Sequence, residues 1–122
     1  MPPTGGGLGG ARPWGRSELI VVWGGNPVHT QVNFMHWVQQ ARRGRDVPLV
    51  VIDPYRTATA AKADLHLALR PGTDGALACA VMHVLLAEGL ADRDYLRRYT
   101  DRPDALEAHL RTRTPEWAAA IT

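Results

Sequence analysis

The feature that most constrains this chain is a short apolar run that ends abruptly in glycine, asparagine and proline. The run is Glu18–Pro27, with the sequence ELIVVWGGNP. Its β-branched centre is typical of a strand buried on both faces, as in a parallel sheet. Pro27 lacks an amide hydrogen and biases Asn26 away from helix, so the strand has to end in a turn. The sequence therefore predicts a strand over about residues 18–23.

A helical pattern and a second apolar run follow, and together they predict a βαβ unit. Apolar residues recur at helical spacing from about Thr30 to Gly44, where two arginines and the glycine are suited to close a helix. Residues 48–53, PLVVID, are predicted to form a second strand. Because a strand, a helix and a strand in close succession need a crossover connection, the two strands should be parallel.

The middle of the chain predicts a third strand and a long helix. Leucines alternate with other residues over 65–69, and the Ala-rich segment before them is predicted to form one or two helical turns. Thr73 or Asp74 is placed to cap a helix that runs to about Glu88. The predicted buried face of that helix is Ala76, Leu77, Ala80, Val81, Val84 and Leu85.

The remainder is predicted to be helical, with helices starting after Asp92, at Pro103 and at Thr114. The predicted fold class is α/β, a Rossmann-like, three-layer arrangement with a short parallel sheet and flanking helices. The Gly- and Pro-rich segment 1–17 is predicted to be a disordered lead, and residues 18–122 to form one partial binding domain.

Composition disfavours several classes of function. No apolar run approaches the ~18–20 residues that span a bilayer, and residues 1–17 lack the apolar centre of a secretory signal. The formal net charge is only +2 and the arginines are scattered, so no nucleic-acid partner is predicted. The single cysteine, Cys79, excludes an intrachain disulfide, fits a cytoplasmic protein, and is predicted to be a core thiol. The histidines lack the spacing of a helical zinc site, so no metal-ligating residue is predicted.

The first loop is a candidate for binding a ligand through its backbone. Gly24 and Gly25 allow positive φ and close approach of N–H groups to phosphate oxygens, and the Asn26 amide can bond to phosphate or base. These residues are equally usual in a plain strand-to-helix turn. Trp23 could stack on a base or belong to the core.

Two further loops carry residues suited to a nucleotide. Asp53 follows the second strand, where open α/β sheets place ligands, although it could simply hold the turn. Asp74 has the same two interpretations, as a helix cap or as an acceptor for guanine or ribose. Arg56 or Arg70 could neutralise phosphate charge. Neither the Gly-x-Gly-x-x-Gly fingerprint nor a Gly-Lys-Ser/Thr phosphate loop is present, which disfavours a nicotinamide-dependent dehydrogenase and an ATP-binding protein.

Three segments in succession make the chain resemble the molybdopterin oxidoreductase family. They are IVVWGGNPVHTQ, then LVVIDPYRTATAAKADLHLALRPGTDGALACAVMHVLLAEGLADRDYL, and then TPEWAAAIT. The family includes formate dehydrogenases, nitrate reductases and dimethyl sulfoxide reductase-like enzymes. The resemblance covers about residues 18–122 and rests on several motifs in the family's order.

The resemblance implies a role in cofactor binding and no catalytic residue in this chain. It implies that the chain holds the guanosine and phosphate end of molybdopterin guanine dinucleotide, with molybdenum held outside the chain. The implied cofactor contacts are Trp23, Gly24, Gly25, Asn26, Asp53, Arg56, Thr57, Gly72, Thr73 and Asp74. The family's usual IDPRxT appears here as IDPYRT, which moves the arginine by one position.

The same resemblance implies that the chain is a fragment of a large catalytic subunit, inactive alone. No cluster-type cysteine motif is present, so an iron–sulfur cluster is expected only in the full-length subunit. The implied partners are the remainder of the same subunit and electron-transfer subunits. The alternative from the residues alone is a non-enzymatic α/β module that binds a guanine nucleotide or another subunit.

Overall fold

A three-stranded parallel sheet organises the first half of the chain. The computed structural model describes residues 17–122, and the chain divides into two units, Met1–Ala68 and Leu69–Thr122. The sheet lies in the first unit and the long helix in the second. The predicted α/β class, with a short parallel sheet and flanking helices, is confirmed.

The strands are β1 (Ile20–Trp23), β2 (Leu49–Ile52) and β3 (Leu65–Leu67), in the order β1-β2-β3. Both pairings are parallel, with Ile20 opposite Leu49 and Val50 opposite Leu65. The strands of the sheet form at the predicted apolar runs, and each strand lies within its predicted bounds.

The prediction that β1 is buried on both faces is wrong, whereas the central strand β2 is covered on both faces. Residues of β2 are buried or half-buried on both sides, whereas Val21 and Trp23 of β1 are 47% and 40% exposed. Ile20 and Val22 point to the opposite, buried face. An apolar run on both sides of a strand cannot reveal which side a helix covers, and here the helical layer covers only one side of β1.

The first unit packs its helices against that buried face of the sheet. The helix predicted from about Thr30 to Gly44 is α2 (Val32–Arg42), and a short helix that was not predicted, α1 (Pro27–Thr30), precedes it. Gln31 separates the two because it leaves the helical region, with φ −145° and ψ 66°. The core cluster is Ile20, Val22, Met35, Val38, Ala41, Val47, Leu49, Val51 and Ala60. A short 3₁₀ helix, Ala60–Lys62, supplies the predicted helical turn before β3.

Four helices make up the second unit: α3 (Asp74–Ala87), α4 (Arg93–Tyr99), α5 (Pro103–Leu110) and α6 (Pro115–Ile121). Asp92 caps α4 by accepting the Tyr95 N–H at 2.8 Å, and Thr114 caps α6 by accepting the Trp117 N–H at 3.2 Å. The predicted helix starts are therefore confirmed, and side-chain capping explains the starts of α4 and α6, whereas α5 begins at Pro103 without a side-chain cap.

The face of α3 that was predicted to be buried is only partly covered. Ala80 is its one buried residue, while Val81 and Leu85 are 46% and 40% exposed. They border an apolar groove of about 360 Å³ between α3 and α6. Cys79 is half-buried on this helix. Within residues 17–122, no helix is long and apolar enough to cross a membrane.

Candidate functional site

The first loop leaves β1 through a glycine in the left-handed region. Gly24 has φ +63°, and its N–H donates to the Ile52 carbonyl at 2.8 Å, which extends the parallel ladder one step past the strand. A Cβ built on Gly24 would meet no atom within 4 Å, so the space beside this backbone is open. The loop has the exposed glycine backbone that a close-fitting ligand needs.

Asn26 starts α1 with its backbone while its side chain is engaged elsewhere. Its carbonyl accepts the N–H groups of His29 and Thr30 at 3.0 and 3.1 Å, but the side chain caps nothing. Instead, Oδ1 of Asn26 accepts a hydrogen bond of 2.7 Å from the hydroxyl of Thr59. The Asn26 side chain therefore does not cap α1, although its backbone does form the strand-to-helix turn.

Thr59 was not among the residues predicted from the sequence. It is fully buried, and its Oγ1 also accepts the Val28 N–H at 3.2 Å. Thr59 therefore ties the loop after β2 to the loop after β1. The available signal was one of two threonines in an otherwise Ala-rich stretch, TATAAKA at residues 57–63, directly after a candidate loop.

The second loop is held by Asp53, at the carboxyl end of β2. Its Oδ1 accepts the Tyr55 N–H at 2.8 Å, its carbonyl accepts from Nε2 of His66 at 2.9 Å, and its N–H donates to Leu67 at 3.2 Å. Within residues 17–122, no partner bonds to Oδ2. Asp53 thus holds the turn with one carboxylate oxygen, Oδ1. Further along, Thr57 accepts the Ala60 N–H at 3.1 Å through its hydroxyl.

The tip of the second loop carries an exposed cation. Tyr55 is 75% exposed, and the next residue, Arg56, is exposed as well. In the part of the chain that the structure describes, Arg56 forms no ion pair, so its charge is available to an anion. Trp23, at the end of β1, keeps 40% of its surface exposed.

A cavity of about 230 Å³ opens beside the first loop. Its lining includes Gly25, Asn26 and Pro27 from the loop, together with Thr30 and Phe34 from the helices that follow. The first and second loops are brought together by the Asn26–Thr59 hydrogen bond. Among residues 17–122, no three His, Cys, Asp or Glu side chains group as a metal site would require.

The third predicted loop belongs to the second unit. Gly72 has φ +83°, and the Thr73 hydroxyl turns back to donate to the Arg70 carbonyl at 2.7 Å. Asp74 is the first residue of α3. The Arg70 N–H donates to the Thr122 carbonyl at 3.0 Å, which anchors this loop to the residue after α6.

Comparison with known proteins decides the family. A family model described as molybdopterin oxidoreductase matches residues 11–116. The chain belongs to the molybdopterin oxidoreductase family. Membership in this family implies a cofactor of molybdenum and a pterin.

Relatives in this family carry several different names. The chain is 36% identical to a probable dimethyl sulfoxide reductase chain of Escherichia coli and 35% identical to the alpha subunit of an F420-dependent formate dehydrogenase of Methanococcus maripaludis. Each alignment covers 87% of this chain and 16% of the relative. Acetylene hydratase from Pelobacter acetylenicus has a similar structure, with a TM-score of 0.74, 29% identity, and coverage of 87% of this chain and 15% of that one. The chain thus spans about one sixth of the length of these family members.

Proposed function

We propose that this chain is the part of a molybdenum-dependent oxidoreductase that holds the guanosine and phosphate end of molybdopterin guanine dinucleotide. The observation that carries the proposal is the pairing of the loops after β1 and β2, which the Asn26–Thr59 hydrogen bond of 2.7 Å holds side by side at the carboxyl edge of the sheet. Open α/β sheets place ligands at this edge.

The chemistry of the loops fits an anionic nucleotide. Gly24 leaves open space beside its backbone, and Gly25 and Asn26 line the adjoining cavity. Arg56, which forms no ion pair in the described residues 17–122, supplies a positive charge. Phosphate groups bind at such clusters of backbone N–H groups and arginine. In this proposal, Gly25 and Arg56 bind the phosphates, and Gly24, whose N–H is bonded to Ile52, leaves the space in which the phosphates approach. Trp23 is proposed to contact the base.

The two aspartates are proposed to recognise guanosine. Oδ2 of Asp53, which has no partner within residues 17–122, is proposed to accept from the N–H groups of guanine or from a sugar hydroxyl. Thr57 continues the same loop, and Gly72, Thr73 and Asp74 of the second unit are proposed as further contacts. Adenine lacks the N2 amino group that guanine presents, so a carboxylate acceptor favours guanine.

When it is bound, the cofactor supplies the electron-transfer chemistry, and the protein supplies binding and orientation. We propose that molybdenum lies outside this chain and that the chain is inactive alone, as a segment of a larger catalytic subunit. Its partners would then be the remainder of that subunit and electron-transfer subunits, with any iron–sulfur cluster in the full-length protein.

Since relatives include proteins named as reductase, dehydrogenase and hydratase, no substrate is assigned. A cytoplasmic location is part of the proposal and fits the single cysteine.

Calorimetric titration of the purified chain with GDP, and with ADP as the matched control, tests the proposal. GDP contains the guanosine and two phosphates of the proposed end, so it should bind more tightly than ADP. Equal affinity for the two nucleotides would contradict guanosine recognition, and absence of binding by GDP would contradict the site. The chain should not turn over formate or nitrate, and turnover would contradict the proposed role as a cofactor-binding segment.

A further inference from the structure

We infer that Thr59 is a positioning residue that fixes the Asn26 amide as an outward-facing hydrogen-bond donor. The ligand group that meets Asn26 must then be a hydrogen-bond acceptor. The nature of the ligand rests on the proposed function, whereas the orientation of the amide rests only on the contacts of Thr59.

Burial of Thr59 decides which atom of the amide faces it. Thr59 is 0% exposed, so its hydroxyl hydrogen needs an acceptor inside the protein. Its oxygen already accepts the Val28 N–H at 3.2 Å. Oδ1 of Asn26, at 2.7 Å, accepts the hydroxyl hydrogen. A flipped amide would present a second donor and leave the buried hydroxyl hydrogen without a partner, which makes the flipped state costly.

This orientation leaves the NH₂ group of Asn26 for the ligand. Within residues 17–122, no buried side-chain nitrogen or oxygen lacks a partner, and no partner is assigned to Nδ2 of Asn26. Nδ2 is therefore accessible, on a residue that lines the cavity of about 230 Å³. An amide that is free to flip could bond to either a donor or an acceptor on the ligand. An amide fixed by Thr59 presents only its NH₂ group, so it can bond only to an acceptor on the ligand.

Two parts of a guanine nucleotide present such an acceptor. One is the phosphate group, with its phosphoryl oxygens, and the other is the guanosine moiety, whose base carries the acceptors O6 and N7. Both satisfy the same NH₂ group, and the structure does not require one in preference to the other. Inorganic pyrophosphate and guanosine contain one each, which allows an experiment to separate them.

The test uses two substitutions that differ by a single hydroxyl. Thr59→Val keeps the shape of the side chain and removes the hydroxyl, whereas Thr59→Ser keeps the hydroxyl. NMR spectra of the unliganded chain should show a slowly exchanging Thr59 hydroxyl proton, and the side-chain NH₂ signals of Asn26 should move in Thr59→Val and stay in place in Thr59→Ser. Unmoved NH₂ signals in Thr59→Val would overturn the inference. If Thr59→Val does not fold, the exchange rate of the Thr59 hydroxyl proton in the wild-type chain tests the inference. Rapid exchange of this proton would contradict the buried hydrogen bond to Asn26.

Affinity provides the second readout. GDP should bind about tenfold more weakly to Thr59→Val, the loss of roughly one hydrogen bond, and within about twofold of wild type to Thr59→Ser. Weaker binding of pyrophosphate would assign a phosphoryl oxygen to Asn26, and weaker binding of guanosine would assign an acceptor of the nucleoside. Unchanged affinity for GDP, pyrophosphate and guanosine in Thr59→Val would contradict a role in ligand positioning.

A third substitution reverses the polarity of the outward group. Asn26→Asp keeps an oxygen for the Thr59 hydroxyl and replaces the outward NH₂ with an acceptor oxygen. It should weaken GDP binding by more than tenfold while the unliganded fold, followed by circular dichroism, stays unchanged. Retained affinity would overturn the inference. If wild type does not bind GDP, the proposed function fails, yet the spectra of the unliganded chain still decide the orientation of Asn26.

Discussion

Nη2 of Arg42 donates hydrogen bonds to both carboxylate oxygens of Asp64, at 2.7 Å to Oδ1 and 2.9 Å to Oδ2. The same carboxylate accepts the Leu49 N–H at 2.6 Å, and the Asp64 N–H donates to the Leu49 carbonyl at 2.9 Å. Asp64 therefore connects the end of α2, the start of β2 and the residue before β3. The Leu49 amide, and then the Arg42 guanidinium, hold the pKa of Asp64 below its ordinary value.

We expect Asp64 to make the stability of the chain sensitive to acid. Because its pKa is lower in the folded state, the unfolded chain binds more protons at acid pH. The stabilisation is present above the ordinary pKa of about 4 and is lost as the pH falls through the lower, folded value. Urea unfolding between pH 3 and pH 7 should therefore show a steeper loss of unfolding free energy for wild type than for Asp64→Asn.

A change at the partner provides the control for this prediction. Arg42→Gln removes the guanidinium but leaves the Leu49 amide, which is the larger cause of the lowered pKa. Its pH dependence should lie between those of wild type and Asp64→Asn. Identical slopes for wild type and Asp64→Asn would contradict the assigned role of the carboxylate.

Local signals were sufficient to predict most elements of this fold, although α1 was not predicted. Leu49–Ile52 is a strand because its apolar, β-branched residues suit a central position, and α4 starts after Asp92 because an aspartate there can cap it. Positions of the candidate loops followed from the ends of these strands. Each of these predictions depends on residues that are close together in the sequence.

Contacts between distant residues were not predictable in this way. Asn26 and Thr59 are 33 positions apart, and nothing in the alternation of apolar residues indicates that a buried hydroxyl joins them. The exposure of Val21 is another example, since both faces of β1 are apolar in sequence and only the packing of α2 distinguishes them. Residues whose role depends on tertiary packing therefore required the structure.

Gly24 should be replaceable by alanine only at the cost of backbone strain. Its φ of +63° is unfavourable for a residue with a Cβ, although the added methyl group would meet no atom within 4 Å. We expect Gly24→Ala to lower the unfolding free energy by about 1 kcal/mol. Gly25→Ala is the matched control, because its Cβ would lie 3.7 Å from Cγ1 of Val22, an ordinary contact. Urea unfolding should show a change within about 0.5 kcal/mol for Gly25→Ala, and equal losses in the two variants would contradict the strain argument.

The second unit offers a comparison of a buried and an exposed leucine. Leu110, at the end of α5, is 1% exposed, whereas Leu85 borders the groove between α3 and α6. Leu110→Ala should lower the unfolding free energy by about 2–5 kcal/mol because it leaves a cavity. Leu85→Ala should cost less than about 1 kcal/mol, since much of its side chain already contacts solvent. Thermal and urea unfolding provide the measurement, and a larger cost at Leu85 would contradict the packing described for α3.

Substitutions at Asp53 can separate its role in the turn from its proposed role in binding. Asp53→Asn retains an oxygen for the Tyr55 N–H, so the turn and the unfolding free energy should be preserved. It removes the carboxylate charge, and we expect GDP to bind about tenfold more weakly because a charge-assisted hydrogen bond is lost. Asp53→Ala removes both functions and should lower stability as well as affinity.

Asp74→Ala is the corresponding test in the second unit. If Asp74 contacts the nucleotide as proposed, this variant should bind GDP more weakly and remain folded. Calorimetric titration measures affinity and urea unfolding measures stability, so the two roles give different results. If Asp53→Asn bound GDP as tightly as wild type while Asp53→Ala lost only stability, Asp53 would be a turn-holding residue alone, and guanosine recognition would have to come from another group.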